Sequence, residues 1–146
     1  MNIEIQALRI EDYQEVTELW RVCEGINLRE DDNRRNLDRY LQRNPNLSFV
    51  ARYNQKIIAA ILCGHDGRRG YLYHLAVAPE YRRNGIASSL VEKSQISLHA
   101  LGIRKCHIFV MKENELAQKF WEFLSWRQRQ DLHMMSFNIM GNADTF

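Results

Sequence analysis

The stretch of the chain richest in chemistry is Pro79-Glu80-Tyr81-Arg82-Arg83-Asn84-Gly85-Ile86-Ala87-Ser88, where a proline ends an apolar run, two arginines and a glycine follow, and a long helical pattern begins. A helix starting at Gly85 leaves its first N–H groups without intrahelical acceptors, at the positive end of the helix dipole. Such a start is an anion cradle in which backbone alone can bind a pyrophosphate. Gly85 permits close approach, Arg82 and Arg83 add charge-assisted donors, and Ser88 offers a hydroxyl at the edge. The stretch lacks the Gly-Lys-Ser/Thr ending of a nucleotide P-loop, and its single glycine falls short of a dinucleotide fingerprint. The same residues also suit an ordinary solvated helix start, so the cradle requires a further ligand. His65, His99, His107 and His133 share no zinc-site spacing with any cysteine, and no metal is expected.

The elements that must position this stretch follow from periodicity. Ile3, Ile5 and Ala7 alternate with Glu4 and Gln6, as in a half-buried strand. A helix begins at Glu11-Asp12; Tyr13, Val16, Leu19, Trp20 and Cys23 form an apolar stripe that closes before Gly25. Beyond a polar segment, Asp32 or Asn33 caps a short helix carrying Leu37, Tyr40 and Leu41, which ends by Asn44 ahead of Pro45. Residues 47–53 and 57–63 read as a hairpin whose second strand is apolar on both faces and therefore covered by helices on both sides. The turn Asp66-Gly67-Arg68-Arg69-Gly70 leads into a strand over residues 71–78 that stops at Pro79. Ala87, Leu90, Val91, Ser94, Leu98 and Leu101 stripe a long helix closed by Gly102. Residues 104–110 read as a strand, 114–124 as a helix with Asn114 as its cap, 133–140 as a last strand, and the tail, residues 141–146, as frayed. The order is β-α-α-β-β-β-α-β-α-β.

Composition bounds the function. A chain of 146 residues with 45% hydrophobic and 26% charged residues reads as one globular domain over residues 1–146, long enough to build a core without disulfides or metal. A net charge of +2 argues against a dedicated nucleic-acid binder. The longest apolar run, residues 57–63, is strand length rather than membrane-spanning, and the N-terminus alternates instead of resembling a secretory signal. A cytoplasmic protein is expected. Cys23, Cys63 and Cys106 are odd in number and sit among apolar neighbours, as reduced core thiols do.

Arg82-x-x-Gly85-x-Ala87, preceded by Leu75-Ala76-Val77-x-Pro79-x-Tyr81, resembles the Gln/Arg-x-x-Gly-x-Gly/Ala acetyl-CoA motif of the GNAT superfamily of N-acetyltransferases. A second block, Asn114-x-x-Ala117-x-x-Phe120-Trp121-Glu122-x-Leu124-Ser125-Trp126, resembles the family's other common element, and the order of elements fits over about residues 3 to 140. The resemblance implies an α+β, three-layer GNAT fold: a mixed, mostly antiparallel sheet with helices on both faces. It implies that Arg82, Arg83, Asn84, Gly85, Ile86, Ala87 and Ser88 hold the CoA pyrophosphate, mostly through main-chain N–H groups. In this family the strand carrying Leu75, Ala76 and Val77 is interrupted by a bulge and splays from the strand after the long helix, opening a V-shaped slot. Val77 would meet the pantetheine arm there, and an N–H near Leu75 or Val77 would polarise the thioester carbonyl. Asn114 is the usual polar contact to the pantetheine, although a helix cap is an equal role for it.

The reaction implied is direct attack of a neutral primary amine on acetyl-CoA, with a proton acceptor for the ammonium and no metal. That acceptor is commonly on the strand before Val77, where His74 and Tyr73 stand; by strict alternation Tyr73 and Tyr71 lie opposite His74 and have the weaker claim. Trp121 occupies the place where many members carry a tyrosine that protonates the leaving thiolate, and Ser125 replaces a usual glycine. The acceptor site is expected from residues 24–40 and the last strands. Glu24, Glu30, Asp31 and Asp32 would attract a cationic amine, but Arg29, Arg34, Arg35 and Arg39 share the segment, and a solvated mixed-charge loop is the better reading. The leading expectation is an N-acetyltransferase, monomer or homodimer, acting on an amine of a small molecule or protein, with no nucleic-acid or membrane partner. The alternative is a catalytically silent acyl-CoA-binding regulatory or interaction domain, motivated by the missing tyrosine. A nucleic-acid module using Arg68, Arg69, Arg82 and Arg83 is disfavoured by the low net charge.

Overall fold

The spine of the sheet is β3 (Lys56–His65), whose residues from Ile57 to Gly64 are all buried because both of its faces are covered. In the computed structural model, which describes residues 1–141, it lies in the middle of the order β1 (Glu4–Ala7), β2 (Phe49–Tyr53), β3, β4 (Gly70–Val77), β5 (Cys106–Ile108). Neighbours are antiparallel except β4 and β5, which are parallel and joined through a helix. The described residues form two compact units, Met1–Asn114 and a second beginning at Glu115.

In the first unit α1 (Tyr13–Val22) and α2 (Arg34–Arg43) cover one face of the sheet and α3 (Ile86–Ala100) the other. The alternation along β2 shows both layers. Val50 joins Val16, Leu19, Trp20 and Leu37 in one core cluster, whereas Phe49 lies under the Lys93 ammonium of α3. Ser94 on α3 donates its buried hydroxyl to the Leu47 carbonyl. Asn33 caps α2 by accepting from the Asn36 N–H, so of the two expected caps Asn33 takes the role and Asp32 is released for another. Gly64 lets α2 settle onto β3, since a Cβ there would lie 2.7 Å from the Tyr40 hydroxyl oxygen.

The second unit contains α4 (Glu115–Phe123). Beyond it Trp126 N–H bonds the Trp121 carbonyl and Ser125 N–H that of Glu122, while Ser125 itself is left-handed at φ 72°. The glycine usual at that position is explained by this backbone, which serine adopts at a cost.

Two expectations are corrected. The strand over residues 104–110 shortens to Cys106–Ile108. The strand expected over residues 133–140 does not form: Met134, Met135, Phe137, Ile139 and Met140 are exposed and outside any ladder. Apolar periodicity marks a segment that would gain from pairing, but a strand exists only through a partner's hydrogen bonds, and here the sheet ends at β5. The frayed tail was expected over residues 141–146, of which 142–146 lie outside the described residues.

Candidate active site

The site is built around an irregularity in β4. Ala60 pairs with Ala76 and Leu62 with Tyr73, so His74 and Leu75 together oppose the single residue Ile61. This is a β-bulge, and its first residue, His74, is left-handed at φ 52°. Trp20 holds it: the fully buried indole donates from Nε1 to the His74 carbonyl at 3.0 Å, and its ring meets the imidazole edge-on. The bulge resets the alternation of the strand. Tyr73, paired with core residue Leu62, and His74, against Trp20, both project toward the α1 and α2 face. The expectation that His74 and Tyr73 lie on opposite sides is therefore corrected.

The bulge also opens the sheet. β5 pairs with β4 only from Gly70 to Leu72, so from Tyr73 onward that edge of β4 has no ladder partner among the described residues. Ala78 N–H bonds the Ile58 carbonyl on β3, so alternation turns the N–H groups of Val77 and Leu75 away from β3, toward the opening. Tyr71, Tyr73 and Phe109 stack beside this opening, with Tyr71 also tilted against His107. Burial raises the Tyr73 hydroxyl above its ordinary range.

His74 has a partner that the sequence did not indicate. Its Nε2 lies 2.8 Å from Asp32 Oδ1, and the two side chains are only 19% and 15% exposed. Asp32 belongs to a 3-10 turn, Glu30–Asp32, between α1 and α2; its other oxygen accepts the Arg29 N–H and its carbonyl accepts the Tyr13 hydroxyl. Burial pushes the carboxyl upward, but the bonds from His74 and Arg29 outweigh it and hold Asp32 below the ordinary carboxylate range.

β4 runs into a 3-10 turn, Pro79–Tyr81, and then into the cradle. Arg83 and Gly85 are left-handed on either side of Asn84, which folds successive N–H groups into a concave nest. Asn84 stiffens it by donating to the Tyr81 and Arg82 carbonyls. No side chain caps α3 at Gly85; Ser89 donates to the Gly85 carbonyl, and among the described residues Ser88 Oγ has no protein partner. Ile86 is buried and anchors the helix start, Ala87 is half-buried above it, and a Cβ on Gly85 would meet nothing within 4 Å. The expected donors are gathered there, except that Arg82 is already engaged: Nε bonds the Val77 carbonyl at 3.0 Å and Nη1 bonds Glu24 at 2.7 Å. Glu24, read from the sequence as part of a solvated mixed-charge loop, instead fastens this turn to the end of α1. Its own backbone and Arg82 hold its carboxyl below the ordinary range. Cys23 Sγ bonds the Val77 carbonyl from the same turn, and Asn114 Nδ2 is 3.1 Å from where a Gly25 Cβ would be. The end of α1 thus meets Val77, Arg82 and Asn114 in three successive residues.

Residues 13–125 match the sequence profile of the acetyltransferase (GNAT) family. The chain belongs to the GNAT family of acetyltransferases. As a GNAT chain it is an acyltransferase. It is 32% identical over 124 residues to an acetyltransferase of Pectobacterium atrosepticum, covering 85% of this chain and 87% of that one. An acetyltransferase of Sodalis glossinidius is 30% identical over 97% of this chain and 99% of its own length. Among solved structures, the PaiA N-acetyltransferase of Thermoplasma acidophilum in complex with coenzyme A superposes with a TM-score of 0.75, at 23% identity, over 85% of this chain and 89% of that one. A GNAT acetyltransferase of Staphylococcus aureus gives 0.76 at 21% identity over 90% of each chain. In this GNAT chain Trp121 is buried and packs edge-on against Trp126 and Phe120, so it contributes packing and no titrating proton.

Proposed function

We propose that this GNAT enzyme transfers the acetyl group of acetyl-CoA to a primary amine of a small molecule or protein, the neutral amine attacking directly. The observation that carries the reading is the opening between β4 and β5, with the N–H groups of Leu75 and Val77 turned into it and the Arg83–Gly85 nest at its end. Acetyl-CoA supplies the activated thioester. The N–H groups from Arg83 through Ser88, with the Ser88 hydroxyl, hold its pyrophosphate, and the open space above Gly85 and the uncapped helix start suit that group. Arg82 holds the nest to Val77 rather than reaching outward. Leu75, Ala76 and Val77 border the pantetheine and acetyl groups, with Asn114 as a polar contact at the α1 end. The N–H groups of Leu75 and Val77 orient and polarise the carbonyl. His74 takes the proton of the incoming ammonium, and Tyr73 or water returns one to the thiolate in place of the missing tyrosine. We read residues 1–146 as one catalytic domain, placed in the cytoplasm with its three thiols free. Relatives named acetyltransferase favour turnover over a silent CoA-binding role.

Calorimetric titration with acetyl-CoA, paired with Gly85→Glu, tests this reading. Glutamate puts bulk and negative charge into the nest, so binding is expected in the wild type and lost in the folded variant. Equal binding by both would remove the cofactor from this loop.

A further inference from the structure

We propose that Asp32 is the positioning residue of the catalytic base, fixing His74 in the tautomer that carries its proton on Nε2 and so leaving Nδ1 as the basic atom. The inference rests on the acetyl-transfer reading and adds a residue to it. A carboxylate 2.8 Å from Nε2 accepts a proton there, and a neutral imidazole has only one to give. Among the described residues no group pairs with Nδ1. Asp32 cannot swing away readily, because Oδ2 is held by the Arg29 N–H and its carbonyl by the Tyr13 hydroxyl. Nor can the imidazole, wedged against Trp20 on a bulge whose carbonyl that indole also grips. His74 sits one residue before the Leu75 N–H that faces the opening, so base and carbonyl-polarising donor are successive positions of one bulge.

In the step, Nδ1 takes one proton from the acceptor ammonium. The freed nitrogen forms its bond to the acetyl carbon and the carbon–sulfur bond breaks. The imidazolium passes its proton through water or Tyr73 to the departing thiolate, which restores Nδ1, and the nitrogen releases its second proton to solvent. Asp32 stabilises the imidazolium between these transfers without itself being protonated. The charged and titratable groups around the pair are Arg29 beside Asp32, the hydroxyl of Tyr13 on α1 with Arg34 over its ring, and Tyr73 on β4; β3 presents the apolar Ala60 and Leu62 on that face.

Asp32→Asn, Asp32→Glu and His74→Gln are compared with wild type by acetyl-CoA calorimetry, by pH–rate profiles with an amine acceptor, and by ring-nitrogen NMR of His74 in the free protein. Asp32→Asn is expected to bind acetyl-CoA as wild type does and to lose at least tenfold in kcat with a smaller change in KM. Asp32→Glu recovers part of the loss. The NMR spectrum is expected to show the Nε2–H tautomer in wild type and a mixture in Asp32→Asn. An Nδ1–H tautomer in wild type, or an Asp32→Asn protein with unchanged rate profile and tautomer, overturns the proposal even where acetyl-CoA binds. Loss of acetyl-CoA binding or turnover in the wild type refutes the acetyl-transfer reading instead, and the NMR comparison still decides the role of Asp32 toward His74.

Discussion

Replacing Trp20 by phenylalanine separates the bulge from the core that holds it. The substitution removes the Nε1 donor at 3.0 Å from the His74 carbonyl while keeping an aromatic ring in a site with no solvent exposure. An acceptor left unpaired in such a place costs about 1–3 kcal/mol. The smaller ring leaves roughly 40 Å3 unfilled, adding about 1 kcal/mol at about 24 cal/mol per Å3. The expected destabilisation is therefore about 2–4 kcal/mol, read from urea unfolding midpoints. Activity should fall further than stability explains. His74 keeps its left-handed backbone only while its surroundings enforce it, at a strain of about 1–3 kcal/mol, and the freed bulge can relax toward regular pairing with β3. Val16→Ala, in the same cluster but away from the bulge, is the control: it loses stability and keeps kcat at temperatures where it is folded. A Trp20→Phe protein within about 0.5 kcal/mol of wild type, or one whose kcat tracks Val16→Ala, refutes the claim that this indole maintains the slot.

Ser125→Gly relieves a left-handed serine at the end of α4 and should stabilise by about 1 kcal/mol, seen as a rise of a few degrees in Tm. Glu24→Gln breaks an exposed ion pair and should change stability by less than about 1 kcal/mol. By freeing Arg82 and removing a negative charge beside the nest, it should also tighten acetyl-CoA binding several-fold, measured by calorimetry. Burial pushes the Cys106 thiol up to about 11 and Cys63 up to about 12. Unfolded cysteine ionises near 8.5, so the unfolded chain gives up those protons first. Stability is then full below about pH 8.5 and falls as pH rises toward 12, which urea midpoints at pH 7.5 and 10 will show. A midpoint unchanged across that interval would mean these thiols are not shielded.

Helix and strand positions inside the first unit were legible to within a few residues because each is written in local periodicity: the stripe Tyr13, Val16, Leu19, Trp20 lies on α1, and the doubly apolar run over residues 57–63 lies within β3. The turn at Pro79–Tyr81, Gly85 and the start of α3 were legible for the same reason, standing in immediate succession. What escaped was set by distant contacts. The Trp20–His74 bond spans 54 positions and the Asp32–His74 pair 42, and neither spacing has any signature in a single chain. The bulge itself follows from that packing, and so the face on which Tyr73 lies could not be read by counting. A short turn rich in charge looked solvated because its half-buried carboxylate, Asp32, is distinguished only by what lies opposite it. Residues 133–140 failed for the complementary reason, since their pattern is local and the pairing it needs is not.

Tyr13 and Trp20 are seven residues apart on α1, two turns or about 10 Å along its axis. One takes the carbonyl of Asp32 and the other the carbonyl of His74, so a single rigid rod grips the backbone of both members of the pair. The separation of carboxylate and imidazole is thus a question of helical phase. One residue inserted between Tyr13 and Trp20 would turn the indole by about 100° and leave the helix intact. The fold could survive such a change while the pair lost its alignment, and selection on α1 would then act through its length as much as through its side chains.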